Sequence, residues 1–515
     1  MDAAIATNAA LAVVAANSCG IGGDAFWLGW DEDTRTQWAL NGTGRSAARA
    51  DAEAWRRDGL EAVPFRGPLS ITVPGAVRSW GDAHARFGRL SRAEILAPAI
   101  ELADRGFPAW DGWVTSVERT HPLVEAAVGP EAPFMALFRP HGRAWRPGER
   151  VRLSRLADTL RRLASVGWDD FYDGEIGEWQ ARALAAAGSP ISHDDLRAHR
   201  STWTEPISTT YRGVRVTSHR PNSSGLVALE LLNILEHFEP PAPSRFRADA
   251  VDDAAWIHVG IEAAKITMGD RNRWLSDSEL VEIPVDRLLD KEYAREQGAR
   301  IDVRHASEAA PSSAPPGGGT VYLAVVDAEG NAVSLIESNW SGFGSGVADP
   351  DTGIHYQNRG AFFSLDPDHA NVLAPRKRTL HTLLPGMLFR DGAERPWIVA
   401  GSMGGDIQPQ IHAQFVSAVV DGRLDIRSGV GGARWGVEPE RVLQPPTLVR
   451  AEPRFPAAVL AELEARGHRL AVTEPFDPGL GHCHAIELLD GGPAVEGGSV
   501  SGATDPRSAG LPAAW

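Results

Sequence analysis

The chain has 515 residues, of which 43% are hydrophobic and 23% are charged, and these ordinary proportions argue against a disordered protein. Its formal net charge of -16 disfavours binding to nucleic acids or to an anionic membrane surface, because both depend on clustered Lys and Arg. Two cysteines, Cys19 and Cys483, are too few for a disulfide framework, and the absence of a run of 18 apolar residues argues against a membrane span.

The first predicted element is a helix at the start of residues 1–26, "MDAAIATNAALAVVAANSCGIGGDAF", which precedes the glycines of this segment. Its apolar stretch has Asp2 and no basic segment before it, so it does not match a signal peptide, and we predict a cytoplasmic protein. Residues 20–25, "GIGGDA", fit a nucleotide-binding glycine pattern. Because the segment follows a helical pattern and not a strand, a dinucleotide site is the less favoured interpretation.

Further helices are predicted along the first three hundred residues. In residues 91–108, Ser91 and Glu94 have the spacing of a capping box and Gly106 provides a stop, although Pro98 should bend the helix. Residues 213–238 predict a strand, a turn and a helix, and residues 253–275 predict another amphipathic helix.

Residues 304–319 are rich in Pro, Ser, Ala and Gly and predict an exposed, mobile linker. A loop of this length inside a compact domain is uncommon unless it is functional. After it, residues 320–327 and 331–338 predict a hairpin, and residues 382–389 and 395–401 predict further strands. Strands on both sides of the linker, with helices between them, predict a layered α/β domain that includes both segments.

Thr320 stands where the linker changes into a strand. A threonine hydroxyl inside a chain is a weak nucleophile, but cleavage of the Gly319–Thr320 bond would give it a free α-amino group as a built-in base. Such an amine has a pKa of about 7.7–8.0, so a usable fraction is neutral near neutral pH. The glycines at 317–319 would allow the unusual backbone geometry that cleavage needs. The residues alone leave open the simpler alternative that Thr320 only begins a strand.

Several segments on both sides of the linker share the motifs and the motif order of one protein family. They are residues 1–26, 69–108, 317–338, 343–347 ("FGSGV"), 374–387 ("APRKRTLHTLLPGM") and 401–410 ("GSMGGDIQPQ"). Together they resemble the γ-glutamyltranspeptidase family of N-terminal-nucleophile hydrolases. The resemblance covers nearly the whole chain and implies a four-layer αββα sandwich. It also implies a proenzyme that cuts itself before the catalytic threonine, giving a large subunit, 1–319, and a small subunit, 320–515, in one folded unit.

The resemblance assigns catalytic roles to four positions. Thr320 takes the place of the nucleophile, and Ser338 takes the place of a second threonine whose hydroxyl supports it. Gly404 and Gly405 match the glycine pair that forms the oxyanion hole, where backbone N–H groups approach the developing charge. An ordinary strand-end serine and a simple Gly-Gly turn are the alternatives for these last two assignments.

The positions that hold the substrate depart from the family pattern. The family's Glu and Asp, which bind the substrate's α-amino group, are replaced by Arg359 and Phe362. The other positions that bind the glutamyl end fall on His381 and Thr382 (a serine pair in the family), on Trp340 with Asn339 just before it (an asparagine), and near Arg45 (an arginine, two residues out of register).

These replacements change the expected substrate. An arginine in place of a glutamate repels an ammonium group and attracts a carboxylate, which Arg binds bidentately. We therefore expect a member of the oxamate amidohydrolase and acylase-like branch, which hydrolyses a small carboxylate-bearing amide through an acyl-enzyme, with Arg359 or Arg45 orienting the carboxylate. A structural salt bridge is the alternative role for Arg359. A γ-glutamyl hydrolase or transferase acting on glutathione-type substrates, or an uncleaved binding protein without activity, remain the alternative functions.

No metal or organic cofactor is expected for this chemistry, and the expected partners are the small-molecule substrate and the two subunits of one precursor, with a higher oligomer left open. In residues 481–487, "GHCHAIE", only His482 and His484 could share a strand face, which is too few ligands for a zinc site. The family has a further strand before the first helix. We therefore expect either a missing edge strand or a start upstream of Met1, which could include a signal peptide and change the predicted location.

Overall fold

The computed structural model of the protein describes residues 1–307, 319–439 and 443–514 and is an α/β fold. The α-helices are α1 (Asp2–Val14), α2 (Ala52–Arg57), α3 (Ala76–Phe87), α4 (Arg92–Arg105), α5 (Asp111–Val128), α6 (Pro133–Phe138), α7 (Ser154–Val166), α8 (Asp170–Asp173), α9 (Glu175–Ala186), α10 (His193–Ala198), α11 (Gly225–Leu235), α12 (Ala254–Trp274), α13 (Val285–Leu288), α14 (Lys291–Gly298), α15 (Gln408–Val420), α16 (Ile426–Gly431) and α17 (Ala457–Ala465). Within the described ranges, no helix has the length and apolar composition needed to cross a membrane.

The β-strands are β1 (Asp24–Asp31), β2 (Thr36–Gly42), β3 (Phe107–Pro108), β4 (Arg150–Val151), β5 (Thr202–Thr204), β6 (Ile207–Tyr211), β7 (Val214–Ser218), β8 (Gly319–Val326), β9 (Ala332–Trp340), β10 (Pro385–Phe389), β11 (Ile398–Met403), β12 (Trp435–Pro439), β13 (Pro446–Ala451), β14 (Leu470–Val472), β15 (His482–Leu489) and β16 (Ser499–Thr504). Short 3₁₀ helices lie at Pro68–Ser70, Pro243–Arg245, Arg359–Phe362, Gly405–Ile407 and Pro478–Leu480.

Two antiparallel sheets form the centre of the fold. The first has the strand order β5-β2-β1-β9-β8, and the second has the order β16-β15-β11-β10-β7-β6. In the first sheet, β1 pairs with β2 on one side and with β9 on the other, and β9 pairs with β8. In each sheet, strands that precede Thr320 lie on one side and strands that follow it lie on the other, and the two groups pair at β1–β9 in the first sheet and at β7–β10 in the second. Neither sheet is complete without both parts of the chain.

The two large sheets pack against each other through one face of each. Leu28 and Trp30 of β1 belong to an apolar cluster that also contains Met387 and Phe389 of β10. Trp27 points to the opposite face of β1, because side chains alternate along a strand, and it packs with residues of α1, α3 and α4. The outer face of the second sheet packs with α11, α12 and α15. Helices therefore cover the sides of the sheets that do not face each other.

The structure confirms the predicted helices and strands of the first three hundred residues. The Ser91 side chain accepts the N–H of Glu94, and the Glu94 side chain accepts the N–H of Ser91, so the capping box at the start of α4 is formed. The helix ends at Gly106, whose φ of 86° suits glycine. The prediction for residues 213–238 is confirmed by β7 and α11, and that for residues 253–275 by α12.

The strands predicted after the linker are also present. The predicted hairpin is formed by β8 and β9, and the two further strands are β10 and β11. Of the predicted linker, 304–319, residues 308–318 lie outside the described residues. Gly319 is buried and pairs with Trp340 as the first residue of β8, so the strand begins one residue before Thr320.

A buried cluster of His258, Glu262 and His468 holds the chain just before residue 308. The two imidazoles share a hydrogen bond, with Nδ1 of His258 2.8 Å from Nε2 of His468. The Glu262 carboxylate accepts the backbone N–H of Ser307 at 3.2 Å and the ammonium of Lys265 at 2.7 Å. Lys265 therefore already supplies the cation beside this carboxylate.

Candidate active site

Three polar residues lie side by side on neighbouring strands of the first sheet. Asp24 of β1 is opposite Ser338 of β9, and Ser338 is opposite Thr320 of β8. All three occupy the alternating positions that face the second sheet, together with Phe26 and Tyr322. Asp24 and Ser338 are fully buried and Thr320 is 3% exposed. The structure thus brings the predicted nucleophile and its predicted supporting hydroxyl together.

The Gly319–Thr320 peptide bond lies at a bulge in the hairpin. Gly319 is opposite Trp340 and Thr320 pairs two residues earlier on β9, so Asn339 has no partner across this ladder. A Cβ on Gly319 would lie 2.9 Å from the carbonyl carbon and oxygen of Ser341. The position therefore requires glycine, because the backbone of the next turn occupies the space of any side chain.

The Ser338 hydroxyl is the centre of a hydrogen-bond network around this peptide bond. It donates to the Gly319 carbonyl oxygen at 2.6 Å and accepts from the Thr320 hydroxyl at 2.9 Å. It also accepts from the Trp340 N–H at 2.7 Å and from Arg359 Nη2 at 3.1 Å. A serine hydroxyl has one hydrogen and two lone pairs. The Gly319 carbonyl can only accept, so the single hydrogen of Ser338 points to it, and the three donors share the two lone pairs.

Arg359 is a buried cation next to this network, with only 1% of its surface exposed. Besides Ser338, its guanidinium donates to Thr382 Oγ1 at 3.0 Å. Its Nε has no hydrogen-bond partner among the described residues, and the salt bridge considered as its alternative role has no described partner either. Burial lowers the pKa of Arg359 to about 9, and nearby carboxylates oppose this effect. At neutral pH it is therefore a charged group with unused donor capacity beside Thr320.

Aromatic rings surround the Arg359 guanidinium. Trp340 stacks on Phe362 with ring centroids 3.9 Å apart, and Phe65 packs on Trp340 at 4.9 Å. The guanidinium carbon lies 5.5 Å from the Trp340 centroid and 5.4 Å from that of Phe362, a contact that favours a cation. Phe65 is 39% exposed, so the stack extends from the buried arginine to the surface.

Asp24 is a candidate functional residue that the sequence analysis did not identify. Its carboxylate accepts the Gly44 N–H at 2.9 Å and lies 3.4 Å from Nε2 of His381. Burial raises the pKa of Asp24 to about 7, and the charge of Arg359 opposes this shift. Burial also lowers the pKa of His381, so this imidazole is neutral at physiological pH. A signal was present in the sequence, since Asp24 begins a strand whose only other charged residue, Asp31, is at the far end.

Gly404 and Gly405 form a turn directly after β11. Their φ values of 154° and 58° lie in the region that favours glycine. Three residues earlier, Gly401 packs against Tyr322, and a Cβ on Gly401 would lie 2.1 Å from the tyrosine ring. Thr320 precedes Tyr322 by two residues. The predicted oxyanion turn and the predicted nucleophile therefore flank the same contact between the sheets.

Two predicted substrate-binding residues are bonded to other partners. The Arg45 guanidinium forms ion pairs with Asp277 at 2.9 Å and with Glu279 at 2.6 Å. The amide nitrogen of Asn339 is 2.8 Å from Nε2 of His355. Arg45 is thus neutralised by carboxylates of its own, whereas Arg359 forms no ion pair with a carboxylate in the described part of the chain.

The glycine-rich segment at residues 20–25 leads from α1 into β1 and lacks the strand–loop–helix order of a dinucleotide site. A Cβ on Gly22 would lie 2.0 Å from the carbonyl oxygen of His355, and one on Gly23 would lie 2.9 Å from that of Ser338. These glycines let the segment pack against the backbone of the site.

The chain is similar to known proteins along its whole length. Residues 1–515 match the family described as Gamma-glutamyltranspeptidase. The chain is 38% identical over 518 residues to the glutathione hydrolase-like YwrD proenzyme of Bacillus subtilis, which covers 99% of this chain and 93% of that protein. It is 36% identical over 523 residues to the oxamate amidohydrolase proenzyme of Klebsiella pneumoniae, which covers 100% and 94%. The crystal structure of cephalosporin acylase from Bacillus halodurans is similar with a TM-score of 0.88 and 37% identity, covering 100% of this chain and 91% of that one.

Proposed function

The chain belongs to the γ-glutamyltranspeptidase family and is an amide hydrolase, as its motifs predict, and from this premise we propose that Thr320 is a self-generated N-terminal nucleophile that hydrolyses a small carboxylate-bearing amide. The two facing sheets with helices on their outer sides support the αββα sandwich as the architecture of this enzyme.

Maturation begins with the network around the Gly319–Thr320 bond. The Thr320 Oγ attacks the Gly319 carbonyl carbon, a C–O bond forms, the C–N bond breaks, and the hydroxyl proton moves to the Thr320 nitrogen. Water then hydrolyses the ester, which leaves a Gly319 carboxylate and a Thr320 with a free amine and a free hydroxyl. The 2.6 Å hydrogen bond from Ser338 to the Gly319 carbonyl supports this step, because it places a hydrogen-bond donor on the oxygen where negative charge develops.

In the mature enzyme, the Thr320 amine is the base for its own hydroxyl. The hydroxyl attacks the substrate amide, the N–H groups of Gly404 and Gly405 stabilise the oxyanion, and the amine product leaves. Water then releases the acid from the acyl-enzyme. Hydrolysis is the proposed outcome, since the residues around the site give no indication of an acceptor amine.

Arg359 is the observation that carries the substrate proposal. It is buried beside Ser338, has no described carboxylate partner, and keeps an unpaired Nε donor. A substrate carboxylate next to the amide would supply the missing anion, and a planar guanidinium binds such a group well. The names of the relatives agree with this class of chemistry, since they include an oxamate amidohydrolase and acylases. An α-ammonium group would instead meet a cation.

Maturation is tested by intact mass and denaturing electrophoresis of the purified protein. We expect two polypeptides, with Thr320 at the new N-terminus, and a single uncut polypeptide for Thr320→Ala. A folded wild-type protein that stays in one piece and still hydrolyses its amide would overturn the proposal, and an uncut inactive protein would favour the alternative of a binding protein.

Substrate class is tested by kinetics on oxamate and on γ-glutamyl-p-nitroanilide. We expect turnover of oxamate and much weaker turnover of the glutamyl compound. In the matured protein, Arg359→Lys should raise the KM for oxamate, because lysine keeps the charge but loses the bidentate fork. Efficient turnover of the glutamyl compound alone would show that the substrate proposal is wrong while leaving the nucleophile untouched.

A further inference from the structure

We propose that Arg359 is also a positioning residue for self-processing, in which it polarises the Ser338 hydroxyl against the Gly319 carbonyl oxygen. This inference rests on the proposed maturation and gives Arg359 a role in the precursor, before any substrate is bound. It concerns a residue that differs in charge from the glutamate found at this position in the family pattern.

Two consecutive hydrogen bonds join the positive charge to the bond that is cut. Arg359 Nη2 donates to Ser338 Oγ at 3.1 Å, and Ser338 donates to the Gly319 carbonyl oxygen at 2.6 Å. In a buried site such bonds strengthen one another, because each donor increases the polarity of the next hydroxyl. Arg359 therefore makes Ser338 a stronger donor to Gly319.

The charge balance explains why the arginine matters during the reaction. When Thr320 Oγ attacks, the Gly319 carbonyl oxygen becomes negative until the C–N bond breaks and the amine takes the hydroxyl proton. Ser338 keeps its own proton throughout, and Arg359 stays charged. A fixed cation that is joined to the oxyanion through two hydrogen bonds stabilises this charge without any rearrangement of the site.

The described surroundings of Arg359 hold it in this position without a direct ion pair, although Asp24 and Asp406 are near enough to favour its charge. Thr382 Oγ1 accepts from Nη1 at 3.0 Å, and the rings of Trp340 and Phe362 lie beside the guanidinium. Burying a cation without a bonded carboxylate is costly. The developing oxyanion of the precursor is an anion that offsets this cost at the moment of reaction.

The test compares processing rates in freshly synthesised precursor, followed by denaturing electrophoresis over time. We expect the precursors of Arg359→Met and Arg359→Gln to be cleaved at least about 10-fold more slowly than that of wild type. Removal of one direct oxyanion donor typically lowers a rate by about 100-fold or more, and Arg359 acts indirectly. Arg359→Lys should be intermediate. Guanidinium chloride at millimolar concentration should accelerate the processing of Arg359→Ala, whereas urea at the same concentration should not.

Arg378→Met is the matched control. Arg378 is 1% exposed, like Arg359, but it donates to the Thr43 carbonyl and to Glu279 and not to Ser338. Its loss should lower the Tm without slowing processing per folded molecule. The Tm of each Arg359 variant is compared with that of uncut Thr320→Ala.

Each outcome decides. The inference is overturned if folded Arg359→Met and Arg359→Gln are processed at the wild-type rate. It is also overturned if their processing is slow, the lysine variant is processed no faster, and added guanidinium does not accelerate processing. If the neutral variants do not fold, Arg359→Lys decides, because it lacks the planar fork and must process several-fold more slowly than wild type. A wild-type precursor that is never cut before Thr320 shows instead that the proposed function itself is wrong.

Discussion

The hydroxyl of Ser338 contacts groups on both sides of the Gly319–Thr320 bond, so one oxygen atom links the proposed nucleophile to the carbonyl that it would attack. The adjacent Glu337 points to the opposite face of β9, where its carboxylate accepts the N–H of Gly20 at 2.9 Å. Alternation along one strand thus separates a reactive site from a structural carboxyl group.

Removal of the Ser338 hydroxyl should affect maturation before it affects folding. We expect Ser338→Ala to process roughly 100-fold more slowly, because the Gly319 carbonyl loses its donor, and Ser338→Thr to process at nearly the wild-type rate. The measurement is precursor loss with time, with Tm as the folding control. Equal rates for Ser338→Ala and wild type would count against the network as the source of catalysis.

The buried carboxyl group of Glu337 should make stability depend on pH. Burial raises its pKa to about 8 from 4.5, so the folded state holds a proton that the unfolded state releases. The contribution of Glu337 to the free energy of unfolding is therefore fully present below about pH 4.5 and is lost as the pH rises to about 8. At about 1.4 kcal/mol per pKa unit, the loss is at most about 5 kcal/mol.

Melting curves of uncut Thr320→Ala at pH 5 and pH 8 measure this effect. Adding Glu337→Gln should reduce the fall in Tm between the two pH values, because the amide cannot ionise. Glu464→Gln, at an exposed position of α17, is the control and should leave the fall unchanged. If the Tm falls equally between the two pH values with and without Glu337, this residue is not the source of the pH dependence.

At the scale of elements, the β8–β9 hairpin fixes the position of the peptide bond at which we propose that the chain is cut. Its bulge shifts the register between Gly319 and Thr320, and the Ser341 backbone closes over Gly319. The peptide bond is therefore held in one fixed place beside the Ser338 hydroxyl. The hairpin requires a residue without a side chain at position 319 for this geometry.

Gly319→Ala should accumulate precursor. Its Cβ would lie 2.9 Å from the Ser341 carbonyl, so the backbone must shift to relieve this contact and the bond loses its fixed place, and we expect processing to slow by at least about 10-fold. Gly269→Ala is the control, since a Cβ there has open space and alanine favours α12 by about 1 kcal/mol. Normal processing of Gly319→Ala would show that the bulge does not position the bond.

Most elements near the site could be predicted from local patterns. The capping box of α4, the hairpin and the helix α12 each depend on residues close together in the chain. The position of Asp24 opposite Ser338 and the aromatic stack on Trp340 could not be predicted, because they depend on the pairing of β1 with β9 and on Phe65 reaching a distant strand. The unpaired state of Arg359 and the ion pairs of Arg45 likewise depend on contacts between distant segments.

At the scale of the whole molecule, both sheets combine strands from before and after Thr320. The chain leading to residue 308 is also bonded to the second part, since the Ala306 N–H donates to the Arg466 carbonyl at 2.7 Å. The proposed scission before Thr320 would therefore leave the shared sheets and cores intact.

The two pieces of the matured protein should remain associated in the absence of denaturant. We expect cut wild type and uncut Thr320→Ala to elute at the same position in size-exclusion chromatography, and the pieces to separate only in denaturant. Separate elution of the two pieces in native buffer would contradict the shared-sheet architecture.

Strand β1 lies between β2 and β9, so the first sheet forms only when both parts of the chain come together. Recovery from heating should therefore depend on whether the chain has been cut. A precursor can regain its structure after heating, because its two halves are tethered to each other. A matured enzyme has lost the tether, so its halves must find each other from solution at a rate that depends on dilution, while each exposes an open sheet edge that promotes aggregation. Thermal inactivation of the working enzyme should therefore be a one-way event that its uncut parent survives.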